Sequence, residues 1–187
     1  GLMAQLLEDA AQLAELVGDG GDVAGKFDNW IEEALRFNSP ALGFVRRATR
    51  DVQLGDARIA AGDRLFLLYG SSNHDEGRWP DAEAFQPDRS PCASHIAFGY
   101  GIHFCVGASL ARLEARVGVE QLFAHLPGLH LVDCAAPKEW TSNLVLRRLR
   151  RLDVGLRGSA QAVTATSPTG PEAKPALHDR PTRARRD

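Results

Sequence analysis

Phe98-Gly99-Tyr100-Gly101-Ile102-His103-Phe104-Cys105-Val106-Gly107 leads directly into an amphipathic helical pattern, and this segment decides the fold. Three chemistries compete for it. A dinucleotide loop of the form G-x-G-x-x-G would need glycine where Phe104 stands, and no clear strand precedes the segment. A zinc site would need a second cysteine or a C-x-x-C nearby, and there is none. The third is a single thiolate at a helix N-terminus. The unpaired N–H groups and positive dipole end of the following helix, expected over Val106–His125, favour a sulfur anion at Cys105.

The surrounding residues support that choice. Gly101 and Gly107 let the backbone turn tightly and approach something flat and large, and Phe98 is placed to shield the sulfur from water. A buried, hydrogen-bonded, water-protected thiolate suits an axial ligand to haem iron. The bland alternative is a small buried hydrophobe, the commoner fate of an isolated cysteine.

Outward from the loop, the pattern is α+β and mainly helical. Leu2, Leu6, Leu7, Ala10, Leu13, Ala14 and Val17 recur at helical spacing until Gly18, Gly20 and Gly21 intervene. A second helix is expected over Phe27–Phe37, with Trp30, Ile31, Ala34 and Leu35 on one side and Asn38-Ser39-Pro40 ending it. Short strands follow at Phe44–Thr49, Val52–Leu54, Arg58-Ile59 and Leu65–Tyr69, turning at Gly55-Asp56 and Ala61-Gly62-Asp63. They predict a small antiparallel sheet, the last strand buried. Residues 70–97 are irregular, but Trp79, Phe85 and Phe98 argue that they are packed.

Val106, Leu110, Leu113 and Val117 form an apolar stripe on the long helix, with Ser109, Arg112, Arg116 and Glu120 opposite. Further strands are expected near Leu129–Val132 and Asn143–Leu146. The division expected is a folded unit over 1–157 and a disordered tail over 158–187, whose only large apolar residues are Val163 and Leu177.

At these residues the sequence resembles the cytochrome P-450 family of haem-thiolate monooxygenases, soluble bacterial type. Its haem-loop pattern F-x-x-G-x-x-x-C-x-G is matched by Phe98, Gly101, Cys105 and Gly107. Its E-x-x-R is matched by Glu33-Ala34-Leu35-Arg36, a spacing uninformative alone but correctly placed upstream of the loop. Phe85-Gln86-Pro87-Asp88-Arg89 fits the position of the family's second arginine, so Arg89 is expected to complete a structural ion-pair network with Glu33 and Arg36. The resemblance spans Gly1–Arg157 and implies the C-terminal, proximal part of that fold. It implies that Cys105 is the metal ligand to haem b, with Phe98, Gly99, Gly101 and Gly107 forming the surrounding loop. His103 and Arg46 are the implied haem-propionate partners, with Arg47 the competing choice in that strand.

The family's distal pattern A-G-x-[DE]-T does not occur in this sequence, so no catalytic acid or threonine is assigned. The resemblance implies insertion of one oxygen atom into a small organic substrate, with electrons from a ferredoxin and ferredoxin reductase. Arg112 and Arg116 are read either as a solvated face or as a ferredoxin-docking site. A non-catalytic haem-binding remnant and a peroxide-using enzyme are the alternatives. The expectation for this chain is a portion of a longer protein, with an apolar face uncovered.

Composition agrees and excludes other classes. The 187 residues are 44% hydrophobic, and 22 Lys+Arg against 24 Asp+Glu give a net charge of −2. That balance makes no electrostatic case for nucleic acid, leaving the arginines near the C-terminus as solvated. No apolar run reaches the roughly 20 residues of a membrane helix. Three cysteines, Cys92, Cys105 and Cys134, are too few for a disulfide framework and point to the cytoplasm.

Overall fold

The computed structural model describes residues 2–8, 23–89, 94–126, 128–157 and 162–166. Helix α1 spans Leu2–Glu8; the remainder of the first expected helix, to Val17, lies outside the described residues. Helix α2 spans Val23–Phe37, beginning earlier than its apolar pattern suggests. Its end has a clear cause. Pro40 disfavours helical backbone at Ser39, whose hydroxyl donates to the carbonyls of Leu35 and Arg36, at 3.2 and 3.1 Å.

The strands at residues 44–67 form two separate antiparallel ladders. β1 (Phe44–Arg47) pairs with β4 (Arg64–Leu67), placing Arg46 opposite Leu65. β2 (Val52–Leu54) and β3 (Ala57–Ile59) form a tight hairpin in which Gly55 adopts φ +57°, as the Gly-Asp turn requires. The last strand is shorter and less buried than expected: it stops at Leu67, and Tyr69 opens a short helix α3 (Tyr69–Ser72). The intervening irregular segment is packed as anticipated, with Trp79 buried and Phe85 against the core.

Helix α4 spans Ala108–His125, starting two residues later than its pattern suggests. Ala115, Val119, Leu122 and Phe123 pack on the core formed by Leu7 of α1, Phe27, Trp30, Ile31 and Ala34 of α2, and Leu129 and Leu131 of β5 (Leu129–Leu131). The apolar stripe of Leu110, Leu113 and Val117 therefore faces outward. The polar positions Arg112 and Arg116 lie on the same side as Val119 and Phe123, and both form ion pairs with α2. The solvated-face reading of these arginines is thus corrected.

The second sheet also departs from the sequence reading. β6 (Arg151–Leu156) pairs antiparallel with β5 and with β7 (Ala162–Thr166), in the order β5-β6-β7. Residues 143–146 form only a bridge, Ala41 with Leu146. Residues 162–166, within the stretch expected to be a disordered tail, are strand, so ordered structure continues past residue 157. Other residues of that tail, like Cys92, lie outside the described residues.

Candidate functional site

The loop ending at Cys105 is shaped by two glycines in left-handed backbone. Gly99 has φ +77° and Gly101 has φ +70°, values that cost an L-residue roughly 1–2 kcal/mol. A Cβ on Gly99 would make only ordinary contacts, 3.5 Å from the His103 carbonyl oxygen and 3.6 Å from the Tyr69 ring, so the demand for glycine there comes from the backbone angle. Gly107 is different. Its φ of −88° is ordinary, so it serves not as a turn residue but as the N-cap of α4, beside the sulfur. A 3-10 turn over Gly101–His103 brings the chain back, and the Cys105 amide donates to the Phe98 carbonyl at 2.9 Å.

Cys105 opens into a cleft of about 690 Å³, whose wall also includes Phe98, Gly99, His103 and Arg46. Four separate sequence expectations thus converge with Cys105 on one surface; Gly101 and Gly107 shape its backbone without lining the cleft. Arg46, not Arg47, faces the cleft. Strand alternation sends Arg47 the other way, where its Nε donates to the Gly62 carbonyl at 3.1 Å. The sulfur is exposed, contrary to the expected burial, because the cleft is open on one side. Phe98 is half-buried and packs at 6.4 Å from the Phe104 ring.

Behind the cleft lies the expected ion-pair network. Arg36 and Glu33 are completely buried, with Arg36 Nε and Nη2 donating to the two carboxylate oxygens at 2.7 and 2.8 Å. The remaining guanidinium protons donate to the carbonyls of Asn73, Ala82 and Ala84, at 2.7, 3.0 and 3.1 Å. Such complete satisfaction makes a buried guanidinium tolerable. Arg89 completes the group, its Nε lying 3.5 Å from Glu33 Oε1 and its Nη2 donating to the Asp81 carbonyl at 3.0 Å. Glu33 Oε1 also accepts from the Gln86 amide at 2.9 Å. The network thus pins the irregular segment 73–89 to α2.

Sequence reasoning missed three participants. Asn73, fully buried, donates to the Ser39 hydroxyl and accepts from the Ile96 amide, tying the segment to the approach of the loop. Glu32 and His95 form a second cluster. Arg112 grips Glu32 through Nε and Nη2, the latter at 2.8 Å, while His95 Nε2 lies 3.2 Å from Glu32 Oε2. Burial alone would raise the Glu32 pKa, but Arg112 and His95 outweigh it and hold it down to about 2. The available signal was Glu32-Glu33 itself. Adjacent helical residues diverge by about 100°, so two acids on a buried helix need two separate partners.

An exposed cysteine preceding a helix, a loop bent at two glycines and a buried Glu-x-x-Arg pair are the arrangement expected of the cytochrome P-450 fold. Comparison with known proteins agrees. The profile of the family Cytochrome P450 matches residues 27–131. Cytochrome P450 107B1 of Saccharopolyspora erythraea is 38% identical over 150 residues, covering 80% of this chain and 36% of that protein. Steroid C26-monooxygenase of Mycolicibacterium smegmatis is 40% identical over 131 residues, covering 70% of this chain and 31% of that protein. The tirandamycin C-bound P450 monooxygenase TamI superposes with a TM-score of 0.75 at 35% identity, covering 83% of this chain and 38% of TamI. The chain belongs to the cytochrome P450 family, and it spans about a third of the length of these relatives. Haem, the cofactor of the family, fits the residues present: one exposed sulfur, an aromatic and glycine wall, and Arg46 and His103 on the same cleft.

No helix among the described residues is long and apolar enough to cross a membrane.

Proposed function

We propose that this chain is the haem-ligand portion of a bacterial haem-thiolate monooxygenase, and that Cys105 would hold haem b through its sulfur. The observation carrying this reading is the convergence of Cys105, His103, Arg46, Phe98 and Gly99 on one cleft. The chemistry haem supplies when bound is oxygen activation, which electron donation from a thiolate ligand favours. The chain's own residues hold and orient. Cys105 presents the sulfur, steadied by the hydrogen bond that its backbone N–H donates to the Phe98 carbonyl. Arg46 and His103 bind the two propionate carboxylates through charge-assisted hydrogen bonds. Gly99, on the cleft wall, permits close approach of the backbone, Gly101 shapes the turn, and Phe98 supplies an aromatic wall beside the sulfur. Glu33, Arg36 and Arg89 act structurally, holding the segment that leads into the loop.

The substrate of the whole protein is a small organic molecule, and its electrons come singly from a ferredoxin-type donor. The pairing of Arg112 and Arg116 with Glu32 and Asp28 weakens their case as a docking patch for that donor. The test is spectroscopic: load the chain with haem, reduce it and add carbon monoxide. A thiolate-type absorption shift in the wild-type chain, abolished in Cys105→Ala, is expected. Its absence, or its survival without Cys105, refutes the assignment.

A further inference from the structure

We infer that Arg112, oriented by Glu32, is a positioning residue for Cys105: its guanidinium holds Phe98, whose carbonyl fixes the Cys105 amide. The inference rests on the proposed ligand role of Cys105 for its chemical meaning, but its geometry stands on separate contacts. The Arg112 guanidinium carbon lies 4.7 Å from the centroid of the Phe98 ring, and the His95 ring lies 6.1 Å from the same ring. Both of these groups are held by one carboxylate, Glu32 of α2.

The local backbone explains why such a brace is needed. Gly99 and Gly101, both at positive φ, are the first and third residues after Phe98 and give the loop two residues of unusual conformational freedom. Among the residues from Phe98 to Gly101, Phe98 is the one whose side chain packs inward, since Tyr100 is 85% exposed. Its ring is therefore the handle by which this part of the loop can be fixed. Glu32 reaches the chain on both sides of Cys105, through His95 ahead of the loop and Arg112 behind it. The Ala97 amide donates to His95 Nδ1 at 3.2 Å, and Nε2 on the other side of the ring lies 3.2 Å from Glu32 Oε2.

A lysine cannot replace this arginine. The contact uses two parallel N–H bonds to Glu32 and a planar face toward Phe98, and an ammonium offers neither. The Asp28–Arg116 pair supplies an internal comparison. It joins the same two helices, with its arginine four residues further from the loop.

The test uses the full chain and two readouts. Without haem, hydrogen exchange at the Cys105 amide is expected to quicken on the order of tenfold in Arg112→Lys and Glu32→Gln, since a cation–π brace of this strength controls local opening. Asp28→Asn leaves that amide unchanged. Phe98→Leu reproduces the effect, and adding Arg112→Lys to it produces no further increase, because both act through one ring. With haem bound, reduced and exposed to carbon monoxide, Arg112→Lys and Glu32→Gln lose part of the thiolate-type band, and Asp28→Asn keeps it. Unchanged exchange in both Arg112→Lys and Glu32→Gln overturns the inference, as does an equal effect of Asp28→Asn, which would mark a simple helix cross-link. Absence of the band from the wild-type chain instead overturns the ligand role of Cys105, and the two failures are read separately.

Discussion

Arg36 shows how one residue can carry the architecture behind the cleft. Its guanidinium meets both oxygens of Glu33 and three carbonyls from the segment 73–84, and it lies 5.5 Å from the Trp79 ring. Removing it strands a buried carboxylate together with those carbonyls. Arg36→Ala is expected to cost about 3–5 kcal/mol, a large part of a domain's total stability. Arg36→Lys is expected to recover only a minor part, because one ammonium cannot span five acceptors. Denaturant midpoints of the three chains measure both effects. Glu32 gives a different signature, one that depends on pH. Its folded pKa of about 2 lies below the ordinary 4.5, so the carboxylate form is favoured by folding. That stabilisation is fully present above about pH 4.5 and is lost as the pH falls toward 2. The difference in thermal midpoint between wild type and Glu32→Gln is therefore expected to hold steady above pH 4.5 and to shrink below it. A difference independent of pH across that range would contradict the pairing.

Arg46 is positioned by the β1–β4 ladder, which begins next to a close backbone contact at Gly43. A Cβ on Gly43 would lie 2.2 Å from the Leu67 carbonyl oxygen, at the end of the β1–β4 ladder. Backbone must move to admit it, so Gly43→Ala is expected to lower stability by about 1–3 kcal/mol. It is also expected to weaken haem retention by displacing Arg46, whereas Arg47→Ala leaves retention unchanged. Haem titration of the three chains separates these outcomes. Elements set by local chemistry were legible in the sequence: the Gly55 turn, the Pro40 stop and the loop around Cys105 each declare themselves within a few residues. Elements set by distant partners were not. β6 reads Arg-Leu-Asp-Val-Gly-Leu, and its charges and glycine disguise a strand whose formation depends on β5 and β7. Gly155 has a tertiary reason, since a Cβ there would lie 3.0 Å from the His130 ring. The Ala-Val-Thr-Ala-Thr of β7 has strand character, but the composition around it masked the signal. The face of α4 was misjudged for a related reason. Periodicity shows where the apolar residues lie, but the core is built on the other side of the helix, by Ala115, Val119, Leu122 and Phe123, where Arg112 and Arg116 also pair with α2.

At the scale of the molecule, that rotation leaves an apolar surface in the open. Ile102 is 97% exposed, and Leu110 and Leu113 on α4 are 58% and 56% exposed, with Val106 and Val117 continuing the face. A contiguous surface of this kind favours association in water. The isolated chain is therefore expected to self-associate and to bind a hydrophobic dye. Replacing Leu110 and Leu113 by glutamate should suppress both, because each change puts a charge on surface already in contact with water and sacrifices little packing. The thermal midpoint of the double variant is expected to stay close to wild type, as exposed substitutions shift stability by about 0.5 kcal/mol or less. Val119→Glu is the opposite case on the same helix. It buries a charge at a position only 2% exposed, so it should unfold the core and increase dye binding. Sedimentation velocity with parallel dye titrations distinguishes the two. Association that persists after both leucines are charged would place the adhesive surface elsewhere, and a double variant as unstable as Val119→Glu would show that this face of α4 is packed.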